Sequence, residues 1–178
     1  MTTAGLVLAA GAGRRYGQPK APVLIDGERL VDRAVRVLRD GGCDPIVVVL
    51  GAWLGEVSGA RIIENPDWAE GMGSSLRAGL AALTDEAAYD VVVTLVDLPG
   101  LTSDAVERIV DTTATIVVAT YQGERGHPVK FAREHWSAIA ASAAGDSGAR
   151  TFLKGRSDIV LVEVGDIADG HDLDEPTA

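Results

Sequence analysis

Only one cysteine, Cys43, occurs among the 178 residues, so neither an internal disulfide nor a cysteine-rich zinc site can form. Cys43 itself reads as a small apolar filler near a turn. Aromatic residues are scarce at 4%, which leaves Ala, Val, Leu and Gly to build the interior. Such a core suits thin, close-packed layers of helix and sheet. No apolar run approaches the ~20 residues that a membrane helix needs. The start of the chain shows no basic stretch ahead of an apolar segment, so a signal peptide is not expected and the chain reads as cytoplasmic. Positive charge is also in short supply: 16 Lys and Arg stand against 26 Asp and Glu, a net charge of −10. That balance argues against nucleic acid or an anionic membrane as partner and leaves small molecules. An anionic ligand would then need local cations and backbone N–H groups, which makes the placement of each Arg and Lys informative.

What is present is an alternation. Gly5–Ala10, Pro45–Leu50, Asp90–Val96 and Thr115–Thr120 read as buried strands bounded by Gly, Pro or Asp. Between them, Glu28–Asp40 places Leu30, Val31, Ala34, Val35 and Leu38 on one helical stripe, ended by Gly41-Gly42. Ser74–Leu83 and Asp104–Asp111 repeat the pattern, with Thr102, Ser103 or Asp104 available to cap the latter. Strand–helix alternation predicts a three-layer, doubly wound α/β domain with a mostly parallel sheet. Near Tyr121–Phe131 the alternation breaks into a hairpin turning through Gly123 to Gly126, making the sheet mixed. A helix carrying Trp136 and Ile139, a segment GDSGAR with Asp146 or Ser147 as helix cap, and a strand Asp158–Val164 follow. No repeat or linker interrupts residues 1–178, which predicts one domain.

The first strand runs into Leu-Ala-Ala-Gly-Ala-Gly-Arg-Arg-Tyr-Gly-Gln-Pro-Lys, residues 8–20. A glycine-rich loop after a first strand usually holds phosphate. The P-loop pattern fails, because Lys20 lies three residues past Gly17 and is followed by Ala21. The dinucleotide fingerprint also fails: Gly11 and Gly13 fit, but Tyr16 holds the third position, and Pro19 and Pro22 forbid a regular helix there. What remains is a long loop of small residues ending in Arg14, Arg15 and Lys20, able to aim N–H groups and charge at phosphates.

This loop resembles the signature of the MobA-like nucleotidyltransferases, Leu-Ala-Ala-Gly-x-x-x-Arg-x-Gly-x-x-Lys, with Arg15, Gly17 and Lys20 on the patterned positions. The likeness continues in order through NPDWAEGMGSSLRAGL (65–80), VTLVDLPGL (93–101), RGHPVKF (125–131), GDSGAR (145–150) and HDLDEP (171–176). Several of these blocks resemble the molybdenum cofactor cytidylyltransferase branch. The resemblance implies a nucleotide-diphospho-sugar-transferase-like fold. It also implies transfer of a nucleoside monophosphate, CMP from CTP, to the phosphate of a molybdopterin-type cofactor, with release of pyrophosphate. The implied cofactor is Mg²⁺, and the implied macromolecular partner is a molybdoenzyme or its maturation chaperone.

On that pattern Arg15, Lys20 and Asp97 carry the chemistry. Asp97 follows an apolar strand, where ligands gather in an open parallel sheet, and a carboxylate there can hold a metal bridging triphosphate oxygens. Asp174 is the second expected metal ligand, with Asp172 the alternative that spacing leaves open. Ala9, Ala10, Gly11, Gly13 and Gly17 would surround the nucleotide, with Leu50–Ala52 as the other wall. Asn65, Ser74 and Ser75 sit where a helix start offers N–H groups and hydroxyls to an anion, or simply an N-cap. His127, inside the matched GHP block, and Arg150 are expected at the acceptor. Ala9-Ala10, where the guanylyl branch usually has Gly-Gly, favours cytidine. Two rivals stay open: an NAD(P)H-dependent reductase of a nicotine-derived pigment, a label carried by some sequences of this family, and a non-catalytic molybdenum cofactor carrier.

Overall fold

Apolar and small residues fill Thr2–Ala9 with no charge among them, and this stretch forms β1, the third strand of a seven-stranded sheet. The structure, a computed structural model, describes residues 1–176. After β1 come a two-residue hairpin, β2 (Leu24–Ile25) and β3 (Glu28–Arg29), then α1 (Leu30–Asp40) and β4 (Cys43–Leu50). β5 (Arg61–Glu64), α2 (Met72–Leu83), β6 (Ala88–Leu95) and α3 (Ser103–Asp111) continue the alternation. The chain ends with β7 (Ile116–Tyr121), β8 (Glu124–Ala132), α4 (Trp136–Ser142), α5 (Arg150–Leu153) and β9 (Val160–Glu163).

The sheet order is β5-β4-β1-β6-β8-β7-β9. Every neighbouring pair is parallel except the two that involve β8. A single reversed strand thus makes the mostly parallel sheet mixed, as the hairpin signal implied. Both faces are covered, so strand residues of either parity are buried. Val7 and Ala9 of β1 face the layer of α1 and α3, whereas Leu6, Leu8 and Ala10 face α2 and α4. In α1 the expected stripe is buried at Leu30, Val31, Val35 and Leu38, with Ala34 half-buried against the same core. Truncating a fully buried leucine such as Leu6 or Leu38 to alanine would cost about 2–5 kcal/mol.

Four local expectations need correction. α1 starts at Leu30 rather than Glu28, because Glu28 and Arg29 pair with Ile25 and Leu24 across Asp26-Gly27, both at positive φ (50° and 81°). The β7–β8 hairpin turns at Gln122-Gly123 (φ 52° and 85°) rather than through Gly126, so Arg125 to His127 lie on β8. α2 has Gly71 as its N-cap with no side-chain bond, so neither Ser74 nor Ser75 caps it. Residues 145–147 form one 3₁₀ turn and α5 starts after Ala149; neither Asp146 nor Ser147 caps it, and the Ser147 hydroxyl donates to the Ala144 carbonyl (2.7 Å). By contrast, Thr102 does cap α3, accepting from the Ala105 N–H at 3.2 Å.

Because β4 and β5 lie on one side of β1 and β6 on the other, the strand order reverses at β1. Crevices at the carboxyl ends of such strands are where open α/β sheets bind ligands.

Candidate active site

The loop that leaves β1 is shaped by one glycine in particular. Gly13 has φ 61°, and a Cβ there would lie 1.9 Å from the Gln18 carbonyl oxygen. Its own carbonyl accepts from the Gly17 N–H at 2.8 Å, closing a tight turn. No helix opens here; the first helix begins only at Leu30, which removes the geometry a dinucleotide fingerprint requires. Tyr16 is buried with Val23, Leu30 and Leu173, anchoring the far end of the loop to the body.

That anchor delivers Lys20 to the carboxyl end of β6. Lys20 Nζ lies 2.9 Å from Asp97 Oδ2 and 3.7 Å from Asp174 Oδ1. Asp174 reaches this point because the final segment straps back across the sheet edge. The Asp169 N–H donates to the Gly100 carbonyl (3.0 Å) and the Leu173 N–H to the Asp97 carbonyl (2.9 Å). Of the two late aspartates, Asp174 is the one within ion-pair reach of Lys20. Asp172 lies nearby: burial, then the Asp97 and Asp174 carboxylates, hold its acid above the usual carboxylate range.

Asp97 Oδ1 is buried and has no hydrogen-bond partner. A carboxylate oxygen left without a donor costs about 1–3 kcal/mol or more, unless something cationic uses it. Among the described residues no three His, Cys, Asp or Glu side chains converge into a metal cage. That sparse donor set fits Mg²⁺ or Mn²⁺, held by one or two carboxylates and completed by substrate phosphates and water. Asp97 and Asp174 would hold it.

Between this charged mouth and the start of α2 lies a cavity of about 350 Å³. Ala9, Ala10, Gly11 and Gly13 line one side, Arg14 and Lys20 supply positive charge, and Trp68, Gly71, Met72 and Ser75 form the opposite wall. The wall expected from Leu50–Ala52 is instead the Trp68 side chain, which lies so close over Gly51 that a Cβ there would meet it at 2.5 Å. Arg14 reaches the cavity where Arg15 was expected; Arg15 and Gly17 are exposed and do not line it. Arg15 was expected from the family pattern, which fixes a position along the loop but not the direction its side chain takes. Asp146 also lines the cavity, although the sequence marked it only as a helix cap.

Asn65 sits behind the wall. Its side-chain oxygen accepts from the Asp67 N–H (3.0 Å), which turns its amide group toward Ser74 (2.9 Å) and Ser75 (3.0 Å). The Ser74 hydroxyl is directed at the Asp67 and Gly71 carbonyls, so it serves the loop rather than a ligand. Ser75 reaches the cavity; its oxygen accepts from Asn65, leaving its proton for another acceptor. Arg77, at the same helix, donates to the Ala143 carbonyl and ties α2 to the end of α4.

Farther along the same sheet edge, Tyr121, Arg125, Gly126, Asp169 and His171 border a second hollow of about 610 Å³. His127 lines neither hollow; it is tied to the second through Tyr121, whose hydroxyl donates to the His127 carbonyl at 2.6 Å. Burial pushes the His127 imidazolium down to about 4, opposed in part by Asp97. At neutral pH His127 is therefore uncharged and offers hydrogen bonds rather than an ion pair. Arg150 is exposed and borders neither hollow.

Residues 5–160 match the MobA-like NTP transferase domain. The nicotine blue oxidoreductase of Paenarthrobacter nicotinovorans is 37% identical over 96% of this chain and 91% of its own. A probable molybdenum cofactor guanylyltransferase of Opitutus terrae is 38% identical over 55% of this chain and 49% of its own. Among solved structures, a homologue of Mycobacterium tuberculosis Rv0371c from Mycobacterium sp. strain JC1 superposes with TM-score 0.83 at 29% identity, covering 97% of this chain and 90% of that one. Rv0371c itself, solved with manganese, superposes with TM-score 0.76 at 26% identity, covering 92% and 89%. No helix among the described residues is long and apolar enough to cross a membrane. With the family match spanning residues 5–160, the chain belongs to the MobA-like NTP transferase family.

Proposed function

We propose that the protein transfers CMP from CTP to the terminal phosphate of a molybdopterin-type cofactor, releasing pyrophosphate. The observation that carries this reading is the meeting of Lys20, Asp97 and Asp174 at the mouth of the glycine-loop cavity. In such a transfer an acceptor phosphate oxygen attacks the α-phosphorus as the bond to the pyrophosphate oxygen breaks. An ionised phosphate needs no general base, which agrees with a cavity lined by backbone, cations and carboxylate. Positioning and charge neutralisation then supply most of the rate.

Backbone N–H groups of residues 10–13 and the Arg14 and Lys20 side chains would hold the triphosphate in line. Arg15, on the exposed side of the loop, adds charge to the approach. A divalent cation held by Asp97 and Asp174 would neutralise charge on the phosphates. Ser75, with Asn65 fixing its orientation, offers a hydroxyl donor deeper in the cavity. The neutral His127 and the second hollow suit the acceptor. Arg150 stands as an acceptor contact only if its exposed side chain swings inward on binding. Ala9 and Ala10, both on the rim of the cavity, stand where the guanylyl branch usually has Gly-Gly, and that difference favours cytosine over guanine.

The end-to-end likeness to the nicotine blue oxidoreductase supports a second reading, reduction of a pigment by NAD(P)H. A thermal-shift panel separates the two: CTP, GTP, ATP, NADH and NADPH, each with Mg²⁺, Mn²⁺ or EDTA. Stabilisation by CTP that requires the divalent cation is the expected result. Stabilisation by NADH or NADPH alone, indifferent to metal, would transfer the assignment to the reductase.

A further inference from the structure

Lys20 occupies the place between two carboxylates where a cation is wanted. Its ammonium is 2.9 Å from Asp97 and 3.7 Å from Asp174, on a side chain only 14% exposed. The two carboxylates come from opposite parts of the chain, one from the end of β6 and one from the final strap. Both the lysine loop and the strap are fixed by one apolar cluster, since Tyr16, Val23 and Leu30 pack on Leu173. Lys20 is therefore held at this point by its surroundings and is not a solvated side chain that drifts to it.

From this geometry we infer that Lys20 is a resident counter-cation that keeps divalent metal out of the Asp97–Asp174 pair until a triphosphate draws it away. This rests on the nucleotidyltransferase reading and concerns how that site is regulated. A divalent ion arriving alone meets an ammonium already seated between its two ligands, and like charges a few ångströms apart in a half-buried setting repel strongly. A metal-bound triphosphate removes that obstacle. Its phosphate oxygens give Lys20 a new acceptor on the cavity side, and the carboxylates become available to the metal in the same step. Metal and nucleotide are then coupled ligands, each raising the affinity for the other by the same factor.

The test is Mn²⁺ binding to the full chain without nucleotide, followed by electron paramagnetic resonance of free Mn²⁺. Wild type should bind weakly, Lys20→Met at least tenfold more tightly at one equivalent, and Lys20→Arg like wild type. The double variant Lys20→Met, Asp97→Asn should lose the gain, which places the new ion at Asp97. If Lys20→Met binds no more tightly than wild type, or the gain survives Asp97→Asn, the inference is overturned. If Lys20→Met does not fold in metal-free buffer, millimolar Mn²⁺ should restore it by replacing the missing cation; failure to do so equally overturns the inference. Wild type that binds no nucleoside triphosphate, while Lys20→Met gains Mn²⁺, would instead overturn the proposed function and leave the counter-cation standing.

Discussion

Two lysines with little solvent exposure sit in opposite regions of the molecule and show what separates a working cation from a structural one. Lys130, on β8, is 3% exposed and donates to the Val110 carbonyl (3.1 Å) and to the Thr112 carbonyl, at the end of α3. Those carbonyls are among the four that a helix leaves without intrahelical partners, so Lys130 completes a helix end. Burial lowers its pKa, with Asp90 and Asp111 opposing. Lys20 instead faces carboxylates at a cavity mouth, one of which keeps an oxygen with no partner at all. A satisfied cation on backbone carbonyls holds the fold; a cation shared by carboxylates beside an unmet acceptor is poised to change partners.

The sharpest way to break this contrast is to remove the acceptor. Asp97→Asn keeps the shape of the side chain and should lower kcat for nucleotidyl transfer by about 100-fold or more, roughly 2.7 kcal/mol of barrier. Circular dichroism and the melting temperature should stay near wild type. Turnover within tenfold of wild type would remove Asp97 from the chemistry. Next, Lys20→Ala should weaken nucleotide binding by about 10-fold or more, as expected for a charge-assisted bond, and flatten its salt dependence. Lys130→Met should do the reverse. Isothermal titration would show nucleotide affinity within about twofold, while chemical denaturation would show a loss of about 1–3 kcal/mol, chiefly from the Val110 carbonyl left without its donor, since the Thr112 carbonyl keeps the Ala114 N–H (3.1 Å). Equal effects of the two variants on binding would erase the distinction.

A smaller, pH-dependent effect comes from His127. Its folded-state pKa of about 4 lies below the ordinary 6.5, so between these values the unfolded chain binds more protons than the folded one. Stability therefore falls as pH is lowered through that window. His127→Gln should make the melting temperature less sensitive between pH 7 and pH 4.5. Smallest of all is Arg15→Ala. An exposed cation outside the cavity should change nucleotide affinity by about threefold or less, chiefly at low salt. A larger loss than Lys20→Ala shows would place Arg15, not Lys20, on the phosphates.

Only the Lys20 side of this contrast was legible in the sequence, together with the sheet that positions it, and the reasons the reading stopped short are physical. The apolar runs ending at Ala10 and Val96, the stripe of α1 and the glycine loop locate the sheet, its carboxyl edge and Asp97 to within a residue of the observed strand ends, because burial on both faces leaves an unmistakable pattern. Asp26-Gly27 between Ile25 and Glu28 is a recognisable hairpin turn that the longer helical stripe obscured. The choice between Arg14 and Arg15 was not legible, since a loop has no period to say which side chain points inward. Nor was the Asn65–Ser75 bond or the indole of Trp68 over Gly51, which depend on how loops settle against α2. The strap that carries Asp174 to Lys20 looks in the sequence like a polar tail. Its anchor is a single leucine, Leu173, too little apolar content to announce a packed segment.

The central claim is that this cavity splits a nucleoside triphosphate onto an acceptor phosphate. The most direct measurement incubates the protein with equal CTP and GTP, Mg²⁺ and molybdenum cofactor, and follows pyrophosphate release together with the mass of the product. The account predicts one pyrophosphate per molecule of cytosine dinucleotide cofactor, dependent on the divalent ion and lost in Asp97→Asn. A guanine dinucleotide product would contradict the base assignment. Absence of pyrophosphate with either nucleotide would contradict the account itself.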